Sequence, residues 1–369
     1  MPVRHREVGS FADDGASRRD GALLFARTTH GLERLAATEA EERGAAVVAS
    51  GKRLLVIRAP IERIGELALR TIDDLFRLVL AFGDPGAGKR DLAVLRAAVV
   101  AADLSEAVLQ APAAPAIPGD RRRPVTVTAS FTGRRSYTRY DLEDTVGPVI
   151  AEGLGTDYVS RRGGSRPPMP TLDWRLSMDT ATALLGPRIA SVPLHRRPWR
   201  TATVAGSLHP PVAAAMVRLA GIGPGHLVLD PCCGAGTLAI EAADLRTGAW
   251  VHGSDRDPSS VHLAAANGRT RPGITWTVAD TRKLPFGDSA VDRIVTNPPW
   301  GKQVSGNEDF AGFLAEWRRV LRGDGVLVCL VPSHQRRLIR ESDGWHVLSV
   351  HPVSLAGQHP LIVRAQPTS

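Results

Sequence analysis

The sequence predicts an α/β protein: a doubly wound, mostly parallel sheet in the C-terminal half, preceded by a smaller α+β region. Two observations predict the sheet. Past Thr201, short apolar runs recur at Leu227-Val228-Leu229, Trp250 to Ser254, Thr275 to Val278, Val291 to Val295 and Gly325 to Val331. Helical patterns separate most of them, the rhythm of strands buried on both faces. The ends of the first four runs also carry polar or Gly-rich residues, and open α/β sheets bind ligands at strand ends. A third observation predicts the α+β region. Strand, helix, strand, helix and a further apolar segment follow one another over residues 22–82, as in a ferredoxin-like unit.

Residues 1–20 read as a polar tail. Ala22 to Arg27 is a strand. Gly31 to Arg43 is a helix stopped by Gly44, and Arg53 to Arg58 is a second strand. Pro60 to Arg70 reads as a helix with Ile61, Ile64, Leu67 and Leu69 apolar, and Asp74 to Phe82 as an apolar segment. Gly83-Asp84-Pro85-Gly86-Ala87-Gly88-Lys89 resembles a phosphate loop, but Arg90 stands where magnesium binding needs Ser or Thr; the stretch reads as an interdomain link. Asp91 to Gln110 is helical by pattern, Ala111 to Arg123 a Pro- and Ala-rich loop. Val125 to Phe131 is a β-branched strand, Asp141 to Leu154 a capped helix, and Leu172 to Met178 with Ala181 to Leu185 a strand pair. Pro210 to Gly221 is an apolar helix. The expected division is tail 1–20, ferredoxin-like domain 21–85, a second α+β domain 86–200, and the doubly wound domain 201–369.

Hydrophobic content of 43% and charge of 23% are those of a globular chain. No apolar run approaches the ~18 residues of a membrane span, and no apolar core follows the basic N-terminus, so a cytosolic protein without membrane contact is expected. The 3 cysteines exclude a disulfide framework and show no metal spacing. A net charge of +8, carried mostly by arginine, suits a polyanionic partner. Arg134, Arg135 and Arg139, interleaved with Tyr137 and Tyr140, and the link containing Arg196 and Arg197 are candidate nucleic-acid contacts. No coiled-coil or repeat pattern indicates an oligomeric state.

The chemistry concentrates at Thr296-Asn297-Pro298-Pro299-Trp300-Gly301. The exocyclic amine of a nucleobase is a poor nucleophile, because its lone pair is delocalised into the ring. The Asn297 side-chain oxygen and the Pro298 carbonyl can accept its two hydrogens, which turns the lone pair outward. The prolines stiffen the loop, and Trp300 offers a face for an unstacked base. Asp230-Pro231-Cys232-Cys233-Gly234-Ala235-Gly236-Thr237 joins a strand to a helix. Its glycines let the backbone pass close under a ligand, with Thr237 beginning the helix. The next strand ends at Asp255, followed by Arg256, where a carboxylate can take both hydroxyls of a ribose. The third ends at Asp280, placed to accept from an adenine amine. The third glycine of a dinucleotide fingerprint is missing, and nicotinamide chemistry does not need Asn-Pro-Pro-Trp. The adenosine-bearing ligand that suits the set is S-adenosylmethionine. Cys232 and Cys233 are read as packing residues rather than nucleophiles.

These motifs resemble the THUMP-domain RNA methyltransferases, and within them the tRNA guanine-N2 methyltransferases. The likeness extends to Thr28 to Glu33 and Leu69 to Phe76, similar to the family's N-terminal ferredoxin-like domain; to Phe131 to Arg135 with the helix after it, similar to THUMP; and to Leu194 to Arg200 with Ser207 to Pro210, similar to the lead into the catalytic domain. It implies a C-terminal Rossmann-like class I methyltransferase sheet preceded by α+β ferredoxin-like and THUMP domains. It implies that Asp230, Gly234, Gly236, Asp255 and Asp280 hold S-adenosylmethionine, that Asn297, Pro298 and Trp300 orient the base, and that THUMP recognises the acceptor-end region of tRNA. The chain departs from the family pattern at Cys232 and Cys233, at Trp300 and in the insert Gly163 to Pro170. The residues themselves leave open adenine N6, guanine N2 in rRNA, and a tRNA-binding protein without catalysis.

Overall fold

The structure, a computed structural model, describes residues 21–102, 104, 123–164, 170–299, 307–341 and 344–368. The tail, most of the Pro-rich loop with the expected end of the helix before it, most of the insert, Trp300 and Gly301 lie outside them. Two compact units form. One runs to Thr28 and resumes over Ala36–Leu194; the other takes Thr29–Leu35 and continues from His195.

The first unit holds two sheets. Strands β1 (Ala22–Arg27), β2 (Ala46–Gly51), β3 (Leu54–Ala59) and β4 (Asp74–Arg77) form an antiparallel sheet in the order β2-β3-β1-β4, with helix α1 (Glu33–Glu42) between β1 and β2. That is the ferredoxin-like order. Strand β2 was not legible, because Ala46 to Gly51 is a short run of small residues with no apolar–polar alternation. The helix expected over Pro60 to Arg70 is only a 3-10 turn, Ile61–Glu66. The turn ends at Glu66, and the backbone turns left-handed at Ala68, φ 43°, so that Leu67 and Leu69 both enter the core. The buried Glu39 carboxylate accepts from the Arg70 and Thr71 amides at 3.0 and 2.9 Å and from the Thr71 hydroxyl.

The apolar segment Asp74 to Phe82 divides. Its second part, β5 (Leu80–Gly83), joins β6 (Val125–Phe131), β7 (Leu172–Met178) and β8 (Thr182–Pro187) in the order β5-β8-β7-β6, with only β6 and β7 parallel. The Gly83 to Lys89 stretch is therefore a loop within this sheet's lobe rather than an interdomain link. Helices α2 (Leu92–Val100) and α3 (Arg139–Leu154) cover one face, with Leu142 and Ile150 of α3 packed on Val127, Trp174 and Leu176. The α3 cap is Thr138, whose amide donates to Asp141 Oδ2 at 2.7 Å while its hydroxyl accepts from the Asp141 amide. The opposite face carries Leu184 against Phe25, Val56 and Phe76 of the first sheet, and Arg188 pairs with both Asp74 and Asp173.

The second unit is the doubly wound domain. Strands β9 (Leu227–Asp230), β10 (Trp250–Asp255), β11 (Ile274–Val278), β12 (Val291–Thr296), β13 (Leu321–Val331), β14 (Trp345–Pro352) and β15 (Leu361–Pro367) form one sheet, ordered β11-β10-β9-β12-β13-β15-β14. β15 alone runs against the direction of the other six strands. Helices α4 (Pro210–Leu219) and α5 (Thr237–Ala243) pack on one face, and α7 (Asn307–Val320) covers the other through Phe310, Leu314 and Trp317; α6 (Pro258–Gly268) crosses from β10 to β11, and α8 (Gln335–Glu341) follows β13. The terminal pair β14–β15 was not read from sequence. Its histidines, prolines and glycine disguise a hairpin that the buried Val363 and Ala365 anchor. Strand order reverses around β9, so a crevice opens at the carboxyl ends of β9, β10 and β12.

Candidate active site

A cavity of about 1010 Å³ occupies that crevice. It is lined by the loop after β9, by Asp255, Arg256 and Asp257 after β10, by Asp280, Thr281 and Arg282 after β11, and by Asn297, Pro298 and Pro299 after β12. The segment Val204–Leu208, with Phe313 and Gln358, completes the wall. Four successive strand ends thus converge as the sequence indicated.

The glycine loop is tightly constrained. Gly236 precedes α5 with φ 83°, and a Cβ there would lie 2.7 Å from the Trp276 ring and 3.0 Å from the Ala264 Cβ. Gly253 on β10 meets the same ring, 2.4 Å from a built Cβ. The Trp276 indole fills the space that side chains at both positions would need. From sequence Trp276 is merely a strand residue; only the strand order β9-β10-β11 brings it beneath the loop.

Asp230 is 3% exposed. Burial pushes its carboxyl up to about 7, and the nearby Asp255 adds to the rise; the Cys232 amide and the Thr296 hydroxyl oppose it. Asp255 accepts from the Gly234 amide at 2.9 Å and from the Asp257 amide at 3.0 Å, joining the glycine loop to the turn before α6. Asp257, given no role from sequence, caps α6 by accepting from the amides of Ser259 and Ser260. Asp280 is engaged by Arg282 at 2.7 Å, which holds the carboxyl below its usual range. Any adenine amine at Asp280 shares the carboxylate with that guanidinium. Arg256 is exposed at the rim, and Thr237 lines the cavity at the start of α5.

Burial, then the charge of Asp230, pushes the Cys232 and Cys233 thiols far above their ordinary value. That disfavours the thiolate form at both positions. Asn297 donates through Nδ2 to the Gly206 carbonyl at 3.2 Å. That bond points Nδ2 at the Gly206 carbonyl, with Oδ1 at the other end of the amide. Among the described residues no His, Cys, Asp and Glu group has the arrangement of a metal site, and no helix is long and apolar enough to cross a membrane.

The expected nucleic-acid contacts separate into two kinds. Arg134, Arg139 and Arg196 are exposed, and the Arg139 guanidinium stacks 4.7 Å from the Tyr140 ring centroid. Arg135 is a correction: its side chain is 3% exposed, pairs with Asp84 at 2.6 Å and donates to the carbonyls of Gly86 and Asp179. It closes the Gly-rich stretch that mimics a phosphate loop. Arg197 is another, 7% exposed and bonded at 2.8 Å to the fully buried Glu241 of α5. Sequence reasoning also missed Val204–Gly206 and Gln358, which carry no motif and meet the crevice only through the fold, and Asn267, which bonds to the Ala235 carbonyl of the glycine loop.

Residues 197–359 match the family model described as UPF0020, RMKL-like, methyltransferase domain. Over 217 residues the chain is 32% identical to a Thermus thermophilus protein named tRNA (guanine(6)-N2)-methyltransferase, covering 58% of this chain and 61% of that one. Over 162 residues it is 31% identical to the Mus musculus U6 snRNA (guanine-N(2))-methyltransferase THUMPD2, covering 42% of this chain and 30% of that one. The chain thus spans less than two thirds of the length of either curated relative. Among solved structures, TrmN from Thermus thermophilus superposes with a TM-score of 0.75 at 27% identity, over 94% of this chain and 99% of that one.

Proposed function

We propose that this chain, a THUMP-type RNA methyltransferase, uses S-adenosylmethionine to methylate the N2 amine of guanine in RNA, with tRNA as substrate. The observation that carries the reading is the presence of Asn297, its amide fixed, in one cavity with Asp230, Asp255, Asp280 and the glycine loop. The donor set suits the cofactor: the cavity is rich in carboxylate, and the ligand is cationic at sulfur and bears a ribose and an adenine. The glycine loop and Asp255 would hold the nucleoside, and Asp280 with Arg282 would meet the base edge.

The sulfonium supplies an already electrophilic methyl group, so the protein must mainly align the acceptor and keep water away. Asn297 Oδ1 and the Pro298 carbonyl would accept the two amine hydrogens and turn the nitrogen lone pair toward the donor. Pro298 and Pro299 keep those acceptors from drifting, and Trp300 is proposed to stack on the base. Methyl transfer, with the donor's C–S bond breaking to a neutral thioether as the C–N bond forms, would make the amine far more acidic, and its proton would pass to solvent. Asn297 is a hydrogen-bond acceptor throughout and not a base.

The tetrapeptide alone serves adenine N6 equally well. Guanine N2 is favoured because both curated relatives carry that atom in their names. The lobe built on β5, β6, β7 and β8 is the proposed THUMP fold, docking the acceptor-end region through exposed arginines such as Arg134 and Arg139; Arg196 contributes from the link.

The test is transfer of a deuterated methyl group to unmodified tRNA by the purified chain, followed by nucleoside mass spectrometry. The label is expected in N2-methylguanosine and absent with Asn297→Ala, whose cofactor affinity stays within a few fold of wild type. Label in N6-methyladenosine alone would replace the substrate reading. Residual turnover with lost cofactor binding in Asn297→Ala would contradict the role of Asn297.

A further inference from the structure

We propose that Asn267 is a positioning residue for methyl transfer: through the segment Thr201–Ser207 it fixes the carbonyl of Gly206, and that carbonyl decides which end of the Asn297 amide faces the substrate amine. The consequence for catalysis rests on the function proposed above. The hydrogen-bond relay itself stands on geometry alone.

Asn267 lies near the end of α6 and is 2% exposed. Its Nδ2 donates to the Ala235 carbonyl at 2.9 Å, within the glycine loop, and to the Ala202 carbonyl at 3.0 Å. Its Oδ1 accepts from the Thr201 amide at 3.0 Å, the Thr201 hydroxyl at 3.1 Å and the Ala202 amide at 3.3 Å. A buried amide with both ends engaged holds its neighbours at fixed distance, because losing any partner strands a polar group. One side of this clamp is the cofactor loop; the other is the segment leading to Val204.

That segment crosses the loop and closes on itself. The Ser207 amide donates to the Val204 carbonyl at 3.0 Å, and the Val204 amide donates to Ser207 Oγ at 2.9 Å. Gly206 takes φ 79° at the third position of the turn, as a type II turn requires. Val204 rests on Gly234, where a built Cβ would stand 3.3 Å from Val204 Cγ2. The Gly206 carbonyl then accepts from Asn297 Nδ2 at 3.2 Å. A continuous relay therefore runs from the cofactor loop through Asn267, the turn and Gly206 to Asn297.

The chemistry explains why such a relay is useful. A primary amide turned by a half rotation exchanges acceptor for donor. If Asn297 presented Nδ2 to an exocyclic amine, two N–H donors would meet, and the lone pair would not be turned outward. Of the two ends of the Asn297 amide only Nδ2 can donate to the Gly206 carbonyl, so that carbonyl favours the productive orientation before substrate arrives. Asn297→Asp abolishes the distinction, because a carboxylate accepts at both oxygens.

The experiment combines side-chain amide NMR of the cofactor-free protein with steady-state kinetics. In wild type the two Nδ2 protons of Asn297 are expected at separate shifts, the bonded one downfield. In Asn267→Ala they converge toward solvated-amide values, and kcat at saturating cofactor and RNA falls about tenfold, the worth of one ordinary hydrogen bond. In the Asn297→Asp background the same Asn267→Ala change costs kcat less than twofold, although its effect on thermal stability is unchanged. Should Asn267→Ala not fold, Ser207→Ala loosens the same turn and is expected to move the Asn297 protons in the same direction. Unchanged Asn297 shifts in a folded Asn267→Ala or Ser207→Ala protein would overturn the proposal, as would equal kcat losses in the two backgrounds. A relay that moves the shifts in a protein without methyl transfer would instead remove the proposed function and leave the relay in place.

Discussion

Asp230 gives the unliganded cavity a measurable pH response. Its carboxyl is raised by burial to about 7, against roughly 3.9 for an unperturbed aspartate. The folded chain therefore keeps a proton that the unfolded chain releases between about pH 4 and the raised value, so the stability of the free protein falls as pH rises through that window. A permanent sulfonium charge in the cavity favours the ionised carboxylate. With a midpoint near 7, about nine tenths of Asp230 is protonated at pH 6 and about one tenth at pH 8, so the affinity for S-adenosylmethionine is expected to fall about tenfold from pH 8 to pH 6, or ~1.4 kcal/mol. Isothermal titration calorimetry in two buffers of different ionisation enthalpy reads both quantities, and about 0.9 proton should leave per cofactor bound at pH 6. Asp230→Asn should lose both the pH slope and the proton release. Equal slopes in wild type and Asp230→Asn, or a flat wild-type profile, would refute the reasoning.

Gly236→Ala must accept a left-handed φ and push on the Trp276 ring, so a loss of about 1–3 kcal/mol in thermal melts and weaker cofactor binding are expected; a fully stable variant would mean the ring moves freely. Arg135→Ala leaves Asp84 without its main partner and should lower the melting temperature while RNA affinity per folded molecule holds. Arg134→Glu with Arg139→Glu should do the reverse, weakening RNA binding and reducing its salt slope by about one per lost phosphate contact; filter binding over a salt series separates the two. Arg197→Met removes one guanidinium partner of the buried Glu241 and should lower stability in denaturant titrations, and Arg197→Met with Glu241→Leu should recover most of the loss.

What sequence made legible follows from where the information lies. The sheet and the strand-end residues Asp230, Asp255 and Asn297 were readable because apolar runs and short-range motifs encode them. The 3-10 turn at Ile61–Glu66 was not, since its form depends on Leu67 and Leu69 both reaching a core that only the assembled sheet creates. Arg134 and Arg135 are neighbours of the same type, yet one faces solvent and the other closes a loop on Asp84, which lies far away in the chain. Asn267 and Trp276 carry no signature at all: their partners at Ala235 and Gly236 are brought to them by the parallel order of β9, β10 and β11.

The most direct measurement is a crystal structure of the chain with sinefungin, whose amine stands where the sulfonium methyl would be. The account predicts adenosine along the carboxyl ends of β9 and β10, its ribose on Asp255, with that amine directed toward Asn297 and Pro298. Nucleoside bound elsewhere, or the amine facing away from Asn297, would contradict it.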